Sequence, residues 1–215
     1  MEQDDTAKRD KLIAKKQEWA REGRLLTGHD GADRLPPGQK LTKGWPVLDL
    51  GIHPMINEKR FELTLDGAVT SPVKFDWAAF HALPHEDSVS DMHCVTSWSN
   101  YDNHWRGVSA QTLIDLVKPN PDARHVVFHS FDSYTTNVRL DQFAESDVYL
   151  VDQWNGAPIS REHGGPVRVL IPRLYLWKSA KWVKRIEFTI EDRPGFWEVR
   201  GYHNNADPWT EERYG

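Results

Sequence analysis

Cys94 is the one cysteine of the 215-residue chain, and it lies in the run Ser90-Asp91-Met92-His93-Cys94-Val95-Thr96-Ser97-Trp98-Ser99. A lone thiol forms no disulfide within its own chain, so it is a small core hydrophobe, a nucleophile or a metal ligand. Val89 to Val95 has the apolar, β-branched character of a strand, and the polar and aromatic stretch from Thr96 to His104 follows without a regular period. Cys94 is therefore expected at a strand end that opens into a loop, where functional residues gather. A second chemical run is His163-Gly164-Gly165-Pro166-Val167-Arg168, followed after a short interval by Lys178-Ser179-Ala180-Lys181-Trp182. Its two glycines permit close backbone approach, and its cations bracket a small Ser-Ala step whose exposed amides can donate to an anion. Arg168 offers a planar fork for bidentate phosphate binding and Lys181 a compact point charge. A phosphate-bearing organic cofactor requires such a set, and an ordinary cationic strand rim is the competing reading.

Other familiar chemistries are absent from the sequence. It has no Gly-x-Gly-x-x-Gly, no Walker-type phosphate loop, no Gly-x-Ser-x-Gly elbow and no His-Glu-x-x-His helix. His81 and His85 have Pro84 between them and no cysteine nearby, and they read as surface or satisfied core histidines rather than metal ligands.

The elements that must position these residues are mostly short strands. With 39% hydrophobic and 27% charged residues, the chain suits one substantial domain and neither a disordered nor a membrane protein. A net charge of −5 argues against a nucleic-acid partner. Ten tryptophans either fill the core or wall a large cofactor cavity. Leu12, Ile13, Trp19 and Ala20 give the charged stretch Lys8 to Arg24 a narrow apolar face, as in a peripheral helix, and Gly28 to Gly44 reads as an irregular connector. Phe61, Leu63 and Leu65 alternate before an Asp66-Gly67 turn, and Ile186, Phe188 and Ile190 alternate near the end of the domain. His125 to His129, Val148 to Val151 and Val167 to Ile171 also read as strands. Phe75 to Leu83 reads as a short helix capped by Asp76, and Ser109 caps a second helix that carries Leu113, Leu116 and Val117 and stops before Pro119. Without βαβ alternation or internal repeats, the expected class is α+β, a mixed domain dominated by strands.

Together the Cys94 segment with its downstream Trp98, the His163 to Arg168 run and the Lys178 to Lys181 segment resemble the molybdopterin domain of the sulfite oxidase family. They most resemble its bacterial branch, which includes a methionine sulfoxide reductase catalytic subunit. The resemblance spans about residues 45–192, leaving residues 1–44 as an N-terminal helix and connector and 193–215 as a tail packed on the domain. It implies a mainly-β mixed fold holding molybdenum-molybdopterin, with Cys94 as the thiolate ligand of the metal. It further implies cofactor contacts at Leu48, Asp49, His163 and Arg168, a phosphate grip at Ser179, Ala180 and Lys181, and one more contact at Ser130 or Asp132. The chemistry of the ligand agrees, because a soft thiolate suits a sulfur-rich metal centre and a bound cation deprotonates it directly. Strand alternation also sets His93 opposite Cys94, against an adjacent Cys-His nucleophile pair.

The departures from the family point to substrate. Leu48 and the Ser97-Trp98-Ser99 run stand where arginines surround an anion pocket, which disfavours sulfite and favours a neutral S- or N-oxide. Tyr101, Asp102, His104, Trp105 and Arg106 are expected to line a different pocket, and Arg106 or Arg173 would have to rebuild an anion site. Sulfite oxidation, a cofactor-free thiol enzyme using Cys94 and a cofactor-holding module without turnover remain as alternatives. The acidic start Met1-Glu2-Gln3-Asp4-Asp5, with no apolar signal core after it, and the single thiol suggest a cytoplasmic protein without membrane insertion. Without a haem-attachment motif or dinucleotide fingerprint, electrons are expected to pass through a separate partner.

Overall fold

The computed structural model describes residues 9–15, 17–18 and 34–215. In chain order the strands are β1 (Lys40–Leu41), β2 (Leu63–Gly67), β3 (Val73–Phe75), β4 (Glu86–Cys94), β5 (Trp98–Ser109), β6 (His125–Ser130), β7 (Thr135–Arg139), β8 (Tyr149–Trp154), β9 (Ala157–Pro158), β10 (Arg168–Leu170) and β11 (Val183–Thr189). The short helices are α1 (Trp77–His81), α2 (Ala110–Val117) and α3 (Leu140–Phe143). One sheet has the order β1-β5-β8-β10, with β4 paired to β5 and β9 to β8, and the other has the order β3-β2-β11-β6-β7. This is the expected α+β class, rich in strands.

Alternation explains the second sheet. Leu63 and Leu65 of β2 and Ile186 and Phe188 of β11 point into one core with Phe128, Phe143 and Phe80. The cap chemistry explains two helices. Asp76 accepts from the Ala79 amide at 2.8 Å ahead of α1, and Ser109 Oγ accepts from the Thr112 amide at 3.3 Å ahead of α2. Leu113 and Val117 of α2 are buried, but Leu116 lies on the solvent face and is not part of its apolar stripe. Ile190 likewise falls past the end of β11 and is exposed.

The largest departure concerns the stretch expected to be a loop after Cys94. Only a tight turn separates β4 from β5, which then runs for 12 residues along β4 and β8. Two causes hide this strand from its sequence. Its register shifts against β4 between Ser90 and Met92 and against β8 between Arg106 and Gly107, which breaks the period of two. It also buries polar amides and satisfies them: Asn100 Nδ2 donates to the carbonyls of Thr42 and Gly44, and Asn103 Nδ2 to those of Ser90 and Asn100.

Residues 9–15 and 17–18 are helical, and Ile13 packs on the cluster that surrounds Cys94. The remaining residues of the Lys8 to Arg24 stretch and the first part of the Gly28 to Gly44 connector lie outside the described residues. The rest of that connector contains β1, parallel to β5.

Candidate active site

The β4–β5 hairpin presents the thiol. Ser97 adopts φ 67°, its amide donates to the Cys94 carbonyl at 3.0 Å, and Cys94 then pairs directly with Trp98 across the ladder. Residues directly opposite on paired strands project to the same face, so thiol and indole point the same way. His93 projects to the other face, where its Nδ1 lies 2.9 Å from Ser99 Oγ. Burial pushes the His93 imidazole down to about 4, so it is neutral near pH 7. The hairpin end is pinned from outside: Gln39 Nε2 donates to the Cys94 carbonyl at 3.1 Å, and the Arg213 guanidinium donates to the Val95 carbonyl.

Cys94 Sγ sits 3.2 Å from Thr96 Oγ1 and opens into a cleft holding roughly 850 Å³ between its walls, mouth included. Around the thiol the surfaces are apolar and aromatic: Leu50, Val95, Tyr175, Trp177, Trp197 and Tyr202 cluster with it, and Leu48 and Trp98 pack alongside. Five tryptophans, at positions 45, 98, 177, 182 and 197, line the cleft, so part of the tryptophan content walls a cavity and part fills the core, as at Trp105.

The cleft carries its positive charge on Arg168 and Lys181. Arg168 is 2% exposed, and its guanidinium donates to three backbone carbonyls, those of His163 (2.7 Å), Ser179 (2.8 Å) and Val169 (3.4 Å), with Trp45 packed at 4.9 Å. Burial with no carboxylate partner lowers its pKa to about 9, yet leaves it cationic at neutral pH. Lys181 Nζ donates to the Glu162 carbonyl at 2.6 Å and lies 3.7 Å from Asp49, whose carboxyl is held below its usual value, against the upward push of burial, chiefly by the Gly51 amide. Asp132 is raised by burial.

Of the residues expected in the site, Leu48, Asp49, Cys94, Asp132, Arg168, Ser179 and Lys181 line this one cleft. Three do not. Ala180 is buried and contributes main chain to the fold: its amide donates to the Lys178 carbonyl at 3.2 Å and its carbonyl accepts from Val169. The Ser179 amide is also engaged, with Leu176, so the expected anion-binding pair of amides is not presented. Ser130 is fully buried at the end of β6, and His163 lies behind Trp45, ring on ring at 4.1 Å. The glycines before Arg168 serve packing within the chain. A Cβ at Gly164 (φ 104°) would fall 2.8 Å from the Lys181 side chain, and one at Gly165 2.0 Å from the Ile159 carbonyl.

Other expectations are also revised. Asp102, His104, Trp105 and Arg106 line a separate surface depression with Asp87, away from Cys94. Arg106 faces Asp87 and Arg173 bonds Asp147, so neither rebuilds an anion pocket in the cleft. Lys178 points inward to Glu198 at 2.7 Å. Trp45, Trp182, Tyr134 and the C-terminal Trp197, Tyr202 and Arg213 carried no spacing signal that tied them to Cys94.

Buried polar atoms test whether a large anionic cofactor suits the cleft. Among the described residues, Trp98 Nε1 on the wall, His163 Nδ1 and Ser130 Oγ have no hydrogen-bond partner, and Arg168 has no counter-anion. A soft thiolate, an aromatic wall and an uncompensated buried cation suit a sulfur-ligated metal on a phosphorylated pterin. The residues fit.

Comparison with known proteins agrees. The family model described as oxidoreductase molybdopterin binding domain matches residues 50–197. The chain is 40% identical over 186 residues to "Uncharacterized oxidoreductase YuiH" of Bacillus subtilis, covering 86% of this chain and 94% of that one. It is 27% identical to the protein-methionine-sulfoxide reductase catalytic subunit MsrP of Ralstonia nicotianae, over 69% of this chain and 51% of that protein, so it spans about half the length of that relative. The fold matches the sulfane dehydrogenase SoxCD of Paracoccus pantotrophus with a TM-score of 0.62 at 17% identity, over 74% of this chain and 46% of that one. With the cleft, the domain match and the close oxidoreductase relative in agreement, the chain belongs to the molybdopterin-binding oxidoreductases, enzymes of the sulfite oxidase fold that carry molybdenum-molybdopterin.

Proposed function

We propose that the enzyme reduces a small neutral S- or N-oxide, with Cys94 as the thiolate ligand of molybdenum and Arg168 and Lys181 holding the phosphate end of the cofactor. When bound, the cofactor supplies two-electron oxygen-atom transfer. The observation that carries the substrate class is the surface around the thiol: Leu48, Leu50, Trp98, Trp177 and Trp197, with no arginine among them. Arg168 and Lys181 are assigned to the cofactor, so among the described residues a compact anion meets no further cationic side chain lining this surface, whereas a neutral oxide needs shape and one donor. Trp98 Nε1, buried and without a partner, is the donor we assign to the substrate oxygen. A relative named for sulfoxide reduction supports the same direction.

Cys94 and Arg168 hold the cofactor, Lys181 adds charge at the phosphate end, and the aromatic wall excludes water from the reacting face. Electrons come from a separate carrier, since the sequence has no haem-attachment or dinucleotide motif. We place the enzyme in the cytoplasm, on the strength of a single cysteine in no disulfide. No helix among the described residues is long and apolar enough to cross a membrane. A thiol-nucleophile reading lacks a base, as no imidazole lines the cleft among the described residues.

Sulfite oxidation has one observation in its favour. Arg213 is buried and bonds the carbonyl of the residue after Cys94. Steady-state assays with artificial electron carriers in both directions separate the two: turnover of sulfoxides or N-oxides exceeding that of sulfite supports our reading, and efficient sulfite oxidation with negligible oxide reduction overturns it.

A further inference from the structure

Away from the cleft, α1 ends at His81, the chain turns through Pro84, and His85 comes back beside it with its ring stacked at 5.2 Å and 18°. Both imidazoles face Asp152 on β8. His81 Nε2 lies 3.4 Å and His85 Nε2 3.5 Å from Asp152 Oδ2, and one ligand atom from each residue falls within 4.8 Å of the others. None of the three lines the Cys94 cleft.

The hydrogen bonding of His85 fixes what its ring presents. Its Nδ1 is 2.9 Å from the Leu83 carbonyl, which only accepts, so Nδ1 carries the proton. In the neutral ring Nε2 then offers a lone pair toward a carboxylate. That atom is buried without a hydrogen-bond partner, and so is Asp152 Oδ1. The side chains of His85 and Asp152 are 5% and 4% exposed. Two electron-rich groups facing each other in a buried place need a positive charge between them, either a proton or a metal cation. The anchoring of the far nitrogen to a backbone carbonyl is also how metal-bound histidines are oriented.

We propose that His81, His85 and Asp152 bind a divalent zinc-type ion that clamps α1 to β8. Metal–ligand bonds of about 2.0–2.2 Å in a tetrahedron place neighbouring donor atoms about 3.3–3.5 Å apart, in accord with the 3.4 and 3.5 Å that separate the two imidazole nitrogens from Asp152 Oδ2. Imidazole and carboxylate donors suit zinc. His81 is 39% exposed and leaves an open side for a water as fourth ligand. In the sequence, Pro84 between the histidines and the lack of a nearby cysteine point away from a metal. The carboxylate comes from a strand nearly seventy residues on, which no local spacing reveals.

The test uses the holoenzyme, dialysed against a chelator, checked for unchanged molybdenum content, and titrated with zinc sulfate against a chromogenic zinc indicator. The parent should take up one zinc per chain and melt at a higher temperature with zinc than without. Loss of a partner behind a ligand already costs about 10–100-fold in affinity. Loss of a ligand in His81→Ala or Asp152→Asn should therefore weaken binding by about 100-fold or more and abolish the melting shift. His81 lies at the rim, so its variant keeps the test sound if Asp152→Asn folds poorly. A parent that takes up no zinc, as expected of a plain imidazolium–carboxylate pair, overturns the proposal, and so does uptake by His81→Ala equal to the parent.

Discussion

Arg168 is held by three carbonyls and no carboxylate, so its charge is left for a ligand to answer. A charge-assisted hydrogen bond to phosphate contributes about 1.5–3 kcal/mol. Arg168→Ala should therefore release pterin on dialysis, read as fluorescence of the oxidised pterin per chain. Arg168 also ties the His163 and Ser179 carbonyls together, and Lys181→Ala, at a more exposed position, separates grip from folding: it should lose pterin while melting near the parent temperature. Equal pterin in both variants and the parent would return these residues to a structural role. Trp98→Phe keeps the aromatic wall and removes only its N–H. A lost neutral hydrogen bond of about 1.4 kcal/mol predicts a roughly tenfold fall in kcat/KM for a sulfoxide, with cofactor content unchanged; undiminished turnover would remove Trp98 from substrate contact. Residues picked from the sequence for their side-chain chemistry, Cys94, Arg168 and Lys181, line one cleft. Ser130 and Ala180 do not line it, because both are buried and the burial of each is decided by tertiary packing.

The β4–β5 hairpin carries the thiol, and its far face holds His93. Because burial lowers this imidazole from 6.5 to about 4, the unfolded chain takes up its proton first as pH falls. The stabilisation is complete above about pH 6.5 and is lost progressively toward pH 4, by about 3 kcal/mol at most from the 1.36 kcal/mol that each unit represents. Asp132 and Asp152, both raised by burial, act with the opposite sign and partly offset it. Urea unfolding of the parent and of His93→Gln at pH 7 and pH 4.5 should show a smaller loss in the variant; identical losses would remove His93 as the cause. The cleft wall from the C-terminal segment depends on another buried contact. Glu198 accepts from Lys178, Thr136 and Trp177 at 2.7, 2.8 and 3.0 Å. Glu198→Ala leaves a buried ammonium unpaired and should cost about 3–5 kcal/mol in urea unfolding; a cost below about 1 kcal/mol would mean water reaches Lys178. Elements with one apolar face, such as β2 and β11, and capped helices such as α2 were readable from period and cap. β5 was not, because Ser99, Asn100 and Asn103 are buried and polar, and partners in β4 and the β1 segment satisfy the amides.

Across the whole molecule, the site is assembled from segments far apart in the chain: the Trp45 to Leu50 lip, the hairpin, the turn after β6, the Arg168 and Lys181 segments, and Trp197 and Tyr202 near the C-terminus. The class of the fold and the three chemical runs were visible in the sequence because each is local. The aromatic enclosure was not, since only tertiary packing decides which tryptophans face a cavity. The proposed function requires Cys94, which opens into that enclosure, to be a ligand of molybdenum. Molybdenum X-ray absorption on the parent and on Cys94→Ser, both loaded with cofactor, tests this most directly, because a hydroxyl replaces the soft thiolate at nearly constant volume. Cys94→Ser should show one sulfur neighbour fewer around molybdenum, together with loss of oxide reduction in a folded protein. The same sulfur count in both proteins, or full turnover by the molybdenum-loaded variant, would contradict it.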